Sequence, residues 1–122
     1  MHYEDRQDAS LLEAVGFSCA LAVMGAAAGL LLMFFAVLQM GGGHGSYSLA
    51  KIAFPYGMLS TLLTDEISAF AITIALVQFP IYGISMGISY HFRRPLKVVL
   101  VLVILHAVSV LLCQVVLSNF PS

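Results

Sequence analysis

Three long apolar stretches dominate the chain, and shorter polar or glycine-rich segments separate them. No charged residue occurs from position 14 to position 40, and two further apolar runs cover residues 67–90 and 98–117. A helix needs about 20 mostly apolar residues to cross the hydrocarbon core of a bilayer. The pattern therefore predicts an all-α integral membrane protein with three transmembrane helices, the first of them at residues 11–40.

Local signals predict where these helices begin and end. Ser10 and Glu13 have the S-x-x-E spacing of a capping box, in which both side chains satisfy backbone N–H groups at a helix start. Residues 64–66, Thr-Asp-Glu, offer a capping hydroxyl and two carboxylates to the second span. The glycine-rich segment 41–45 predicts a loop, because glycine lowers the stability of a helix.

Residues 49–63 are apolar but too few for a span. They include Lys51 and Pro55, and a proline removes a backbone hydrogen bond from a helix. We interpret this stretch as a short interfacial or re-entrant segment between the first and second spans.

Composition supports a lipid environment for nearly the whole chain. Its 122 residues are 61% hydrophobic and 9% charged, whereas a soluble domain is about 25% charged. We therefore expect a single membrane domain, residues 1–122, with the lipid bilayer as its surroundings. The five basic residues are too few and too scattered to predict nucleic-acid binding.

The distribution of basic residues predicts the orientation. Arg93, Arg94 and Lys97 lie between the second and third spans, and loops rich in lysine and arginine stay in the cytoplasm. This predicts an N-in, C-out topology in a bacterial-type inner membrane, with the three side chains near lipid headgroups. The same topology places Cys19 and Cys113 at opposite membrane faces, so we expect no disulfide between them.

Small residues form a stripe on the first span and another on the second. Such stripes let two helices approach closely where lipid supplies no hydrophobic drive for association. We expect the two stripes to pack together. The predicted packing residues are Ser18, Ala22, Gly25 and Gly29 on the first span, with the GxxxG pair Gly25–Gly29, and Pro80, Gly83 and Gly87 on the second.

A polar stripe lies on the opposite side of the second span. It contains Gln78, Tyr82 and Ser85, while His106 and Ser109 share one side of the third span. Buried polar side chains in a membrane need hydrogen-bond partners. We therefore expect Gln78 to contact His106 or Ser109, which makes the second span the central helix. Pro80 predicts a kink in that helix.

His106 is the one residue whose position suggests cofactor chemistry. A histidine inside the membrane can bind haem b, contact a quinone or relay protons. Haem between helices normally takes two axial ligands, and the second would have to come from a partner chain, Met24 or Met33. His44 alone supplies too few ligands for a metal site. We favour a hydrogen-bonded structural histidine and predict no cofactor, with haem b or quinone as the alternative.

No sequence motif predicts catalysis. The spans carry no acidic residue of the kind that ion-coupled transporters use, and no hydrolase or phosphate-loop pattern is present. Our first hypothesis is a non-catalytic subunit that packs with other integral membrane subunits, hetero- or homo-oligomerically. The alternatives are a haem- or quinone-binding redox anchor using His106, and a homo-oligomeric channel or carrier lined by Gln78, Tyr82 and Ser85.

Overall fold

A computed structural model describes residues 3–41, 46–64 and 66–118, with the side chains of residues 3–10 not included. Most residues in these ranges are helical, and no strand occurs within them. The elements are α1 (Tyr3–Met40), α2 (Ser48–Ala53), α3 (Pro55–Ser60), a short 3-10 turn (Thr61–Leu63), α4 (Ala69–His91) and α5 (Pro95–Val116). Of the predicted loop at residues 41–45, Gly41 forms a turn at the end of α1, and residues 42–45, His44 among them, lie outside the described residues.

Three helices are long and apolar enough to cross a membrane, as the sequence predicted. They are Leu11–Met40 within α1, Ala69–His91 and Pro95–Val116. The fold is therefore that of a helical membrane protein. Most large apolar side chains on these helices are exposed, which fits lipid rather than water as their solvent.

Two predicted helix starts were wrong. Helix α1 continues to Tyr3, so Ser10 lies inside the helix instead of capping it. Helix α4 begins at Ala69, where the Ser68 hydroxyl accepts a hydrogen bond from the Ala71 amide. Thr64 instead donates to the Glu66 carbonyl, and Asp65 is outside the described residues. Ser68 is the better cap because its extended backbone aims its side chain at the free N–H groups of α4.

Residues 48–63 fold into a short helical hairpin, which we call the α2–α3 hairpin. Helix α2 ends at Ala53, Phe54 leaves the helical conformation, and Pro55 opens α3. Proline suits the first position of a helix, where its missing N–H costs no hydrogen bond. Most of the hairpin is buried, including Lys51, Phe54 and Met58. The short apolar segment is thus packed inside the protein.

Helix α4 lies at the centre of the described fold. Helix α1 packs along it, while α3 and α5 also contact it, and the α2–α3 hairpin further contacts α1 and α5. The buried cluster joins all these elements, with Ala36 of α1, Phe54 of the hairpin, Ala75 of α4 and Cys113 of α5 among its members. Helix α4 continues through Pro80 as one element.

Candidate functional site

The interface between α1 and α4 is formed by close backbone contact. A Cβ atom added to Gly83 would overlap the backbone of Leu21 and Ala22, and one added to Gly87 would overlap Ser18. A Cβ on Gly25 would come within 2.5 Å of the Phe79 carbonyl oxygen. Real Cβ atoms do not approach other atoms so closely, so glycine alone fits these positions in this packing.

The remaining small residues of the two stripes lie in the same interface. A Cβ on Gly29 would meet the ring of Phe79 at 2.9 Å, and Pro80 lies beside Gly25. The Ser18 hydroxyl donates to the Ala14 carbonyl in its own helix. It therefore needs no polar partner on α4. The structure thus brings together all the residues that the sequence assigned to helix packing.

The other side of α4 is held by hydrogen bonds to the tip of the α2–α3 hairpin. The break at Phe54 and the missing N–H of Pro55 interrupt the helical ladder, which frees carbonyl groups at the end of α2. The Gln78 amide nitrogen donates to the Ala53 carbonyl at 2.5 Å. A ring nitrogen of His106 lies 2.9 Å from the Ile52 carbonyl oxygen.

His106 connects three elements. Its Nδ1 lies 3.0 Å from the Tyr82 hydroxyl of α4, and its Nε2 faces the Ile52 carbonyl of the hairpin. Because a carbonyl can only accept, Nε2 carries the proton and Nδ1 accepts from Tyr82 in the neutral imidazole. Tyr56 of α3 packs edge-on against the same imidazole, with ring centroids 6.4 Å apart. Both nitrogens of His106 are therefore occupied.

The predicted contact between Gln78 and His106 or Ser109 was wrong. The hairpin lies against both side chains, and its carbonyls take the bonds that the sequence assigned to side chains. Ser109 donates within its own helix to the Leu105 carbonyl. A serine or threonine in a membrane helix can satisfy its hydroxyl this way without an interhelical partner.

Two further hairpin contacts were not foreseen from the sequence. The Lys51 ammonium donates to the Leu117 carbonyl at 2.8 Å, where the end of α5 presents a partial negative charge. The Cys113 thiol lies 3.2 Å from the Pro55 carbonyl. Both cysteines are free, as predicted, with Cys19 exposed and Cys113 buried. Lys51 is only 3% exposed, which is rare for a lysine.

The proposed polar lining is turned inward within the chain. Gln78 is 5% exposed, and its carboxamide oxygen has no hydrogen-bond partner among the described residues. Tyr82 is engaged by His106, and Ser85 is half-buried. These three side chains do not form one exposed strip on α4.

The geometry around His106 is a poor fit for a haem iron. An axial ligand needs a free imidazole nitrogen, whereas both nitrogens have partners here. Met24 is exposed on α1, and Met33 packs on the cluster around Ala36 and Phe54. Among the described residues, no group of three or more histidine, cysteine or acidic side chains could hold a metal ion.

The predicted headgroup residues lie at the turn between α4 and α5. Arg93, Arg94 and Lys97 are all exposed there, at the ends of two helices that can span a membrane. Among the non-glycine residues that the structure describes, only Arg93 has a left-handed backbone, with φ of 54°. Comparison with known protein families, curated proteins and solved structures gives no match for this chain.

Proposed function

We propose that this protein is a non-catalytic integral membrane subunit that packs into a larger membrane protein complex and stabilises or assembles it. The observation that carries the proposal is the length of α1. Gly87 of α4 lies beside Ser18, and His91, the last residue of α4, lines one cavity with Glu13 and Ala14. Helix α1 therefore continues for about 15 Å past the end of α4, at 1.5 Å per residue.

This extension lies beyond the apolar part of α1 and has a polar sequence, from Tyr3 to Ser10. A short polar helix gains little stability in water by itself, because most helical stability in proteins comes from packing. The extension has the character of a docking element for another subunit. The basic residues Arg93, Arg94 and Lys97 lie at the same end of the fold, which favours the cytoplasm for that end in a bacterial-type inner membrane.

The proposed role of Gln78 and His106 is to hold the α2–α3 hairpin in place. At 1.5 Å per residue, Gln78 is about 14 Å from the start of α4 and His106 about 15 Å from the end of α5. Hydrogen bonds to these two residues support a re-entrant assignment for the α2–α3 hairpin, with its tip near mid-membrane. Irregular backbone is tolerated at that depth when protein surrounds it.

Affinity purification tests the subunit proposal. The tagged full chain, extracted from its own membranes in mild detergent, should bring down a fixed set of larger membrane proteins. A variant lacking residues 2–9 should lose most of this set and unfold like the wild type, because the bundle is unchanged. Recovery of the wild-type chain alone, as a monomer in several mild detergents, would contradict the proposal.

A redox anchor that binds quinone is the second candidate. Tyr82, Met86 and His106 border a groove of about 390 Å³ between α4 and α5, which offers an aromatic and polar wall to a quinone ring. A ligand there would displace one partner of His106. A Soret band in the purified protein that disappears in His106→Ala would instead establish haem binding and overturn the structural role of this histidine.

A homo-oligomeric channel lined by Gln78, Tyr82 and Ser85 remains the third candidate. It requires these side chains to leave their contacts within the chain and face a common axis. A symmetric oligomer with a hydrated axis, seen in the purified protein, would favour it over the subunit proposal.

A further inference from the structure

A cavity of mixed charge lies where the end of α4, the α4–α5 turn and α1 meet. Its volume is about 730 Å³. Its lining combines one carboxylate, one guanidinium, one imidazole and an aromatic pair, and the residues are Glu13, Phe17, Tyr90, His91 and Arg93, with Ala14, Gly87 and Pro95 between them. The rings of Phe17 and Tyr90 pack in a tilted arrangement, with 5.2 Å between their centroids.

The cavity lies at one end of the three helices that are long and apolar enough to cross a membrane. Its residues come from the start of the apolar part of α1, the end of α4 and the start of α5. Tyrosine is enriched at this level of membrane proteins, because its ring is apolar and its hydroxyl is polar. Glu13 and Arg93 are both exposed, so a ligand at headgroup depth can reach both charges.

The backbone at Arg93 is unusual for an arginine. The Arg93 amide donates to the Tyr90 carbonyl and the Arg94 amide to the Ser89 carbonyl, which is the Schellman pattern that ends a helix. The residue at the left-handed position of this motif is usually glycine, because a Cβ is disfavoured there. Here it is arginine, with φ of 54°. The arginine therefore occupies this position at a conformational cost.

An apolar groove adjoins the cavity. Ala14 and His91 belong to both. The groove has a volume of about 560 Å³ and follows α1 and α4 into the apolar part of the bundle, past Ser18 and Ile84 as far as Ala22. A charged headgroup cavity beside an apolar groove matches the two ends of a phospholipid.

We propose that this cavity is a binding site for a zwitterionic phospholipid with a primary amine, phosphatidylethanolamine, held by Arg93 at its phosphate and by Glu13 at its ammonium group. Arginine binds phosphate oxygens through paired N–H donors. The carboxylate opposite selects a headgroup that carries a positive charge as well. A purely anionic lipid such as phosphatidylglycerol has no cationic group to form an ion pair with Glu13.

Native mass spectrometry of the full chain tests the site. The protein is delipidated in detergent and titrated with phosphatidylethanolamine or with phosphatidylglycerol of the same acyl chains. We expect tighter binding of phosphatidylethanolamine. Arg93→Gly should weaken that binding about fivefold, the scale of one exposed ion pair. It should unfold no more easily than wild type, because glycine suits the left-handed position.

Two control variants separate a site from general attraction. Arg94→Gln and Lys97→Gln remove the same charge near the same turn, but neither residue lines the cavity. Both should leave binding within about twofold, since exposed charges outside a site contribute little. Glu13→Gln should remove the preference for phosphatidylethanolamine over phosphatidylglycerol.

Three results would overturn the proposal. If the Arg93→Gly variant bound phosphatidylethanolamine as tightly as the wild type does, the Arg93 side chain would not hold the lipid. An equal loss in Arg93→Gly, Arg94→Gln and Lys97→Gln would show general electrostatic attraction. A wild-type preference for phosphatidylglycerol would contradict the role of Glu13.

Discussion

The two sides of α4 are held in contrasting ways. Toward α1, glycines let the backbones touch, and the nearest groups are those of Leu21, Ser18 and Phe79. Toward α5, contact is made largely through the α2–α3 hairpin, and the Gln78 and His106 side chains bond to its carbonyls. One side depends on shape and the other on hydrogen bonds. Packing and hydrogen bonding are the two means that join helices in lipid.

Substitution of a buried glycine should break the shape-dependent side most severely. Gly83→Ala places a methyl group against the Leu21 backbone, which neither helix can avoid without moving apart. We expect a loss of about 3 kcal/mol in the free energy of unfolding, at the upper end for overpacking. Reversible unfolding in mixed detergent micelles measures it.

Gly16→Ala is the matched control, because it adds the same methyl group to α1 where nothing lies within 4 Å. It should cost no stability, since alanine favours a helix more than glycine does. Equal effects of the two substitutions would show that α1 and α4 are not in close backbone contact.

Removal of the His106 hydrogen bonds should weaken the other side by a smaller amount. His106→Phe keeps a ring beside Tyr56 but loses the bonds to Tyr82 and Ile52. With interhelical hydrogen bonds worth about 0.6 kcal/mol on average in membranes, we expect a loss of about 1–2 kcal/mol in the free energy of unfolding.

Ser109→Ala is the control for this prediction. The Ser109 hydroxyl bonds only within α5. Its removal should therefore change the free energy of unfolding by less than about 0.5 kcal/mol, the usual range for a substitution that breaks no contact between elements. A larger effect for Ser109→Ala than for His106→Phe would restore the side-chain contact that the sequence suggested.

The smallest effect should come from the Cys113 thiol, which lies beside Pro55 in the hairpin. Cys113→Ala removes a buried sulfur and its weak bond to the Pro55 carbonyl, and we expect a loss of about 1 kcal/mol, near the centre for point mutants. Cys19→Ala, on an exposed surface, should have no measurable effect. The unfolding temperatures of the two variants are compared in one detergent. Equal midpoints would contradict the prediction that Cys113→Ala is the less stable variant.

The spacing of small residues in the sequence predicted which sides of α1 and α4 approach each other closely. The four-residue spacing of Gly25 and Gly29, and of Gly83 and Gly87, can be read directly from the sequence, because glycine has no side chain to hold two helices apart. The three spans were visible for a similar reason: length and apolarity are properties of one segment alone. Both the long helices and the small-residue faces follow from local sequence.

The partners of Gln78 and His106 could not be found in this way. A helical wheel displays side chains, whereas the acceptors at Ile52 and Ala53 are backbone carbonyls freed by a helix break. The burial of Lys51 could not be predicted from its own segment, because its acceptor, the Leu117 carbonyl, lies 66 positions further along the chain. Pro55 was the one sign that carbonyls nearby would need partners.

The α2–α3 hairpin also sets an order of events during synthesis. Its Ile52, Ala53 and Lys51 emerge from the ribosome 54, 25 and 66 positions ahead of their partners His106, Gln78 and Leu117. Chains are made and fold from the N-terminus, and a carbonyl without a partner in lipid costs several kcal/mol. In the re-entrant placement that we propose, the hairpin has to wait near water until α4 and α5 arrive. The same placement makes insertion of the hairpin a late step, completed only when α5 is in place.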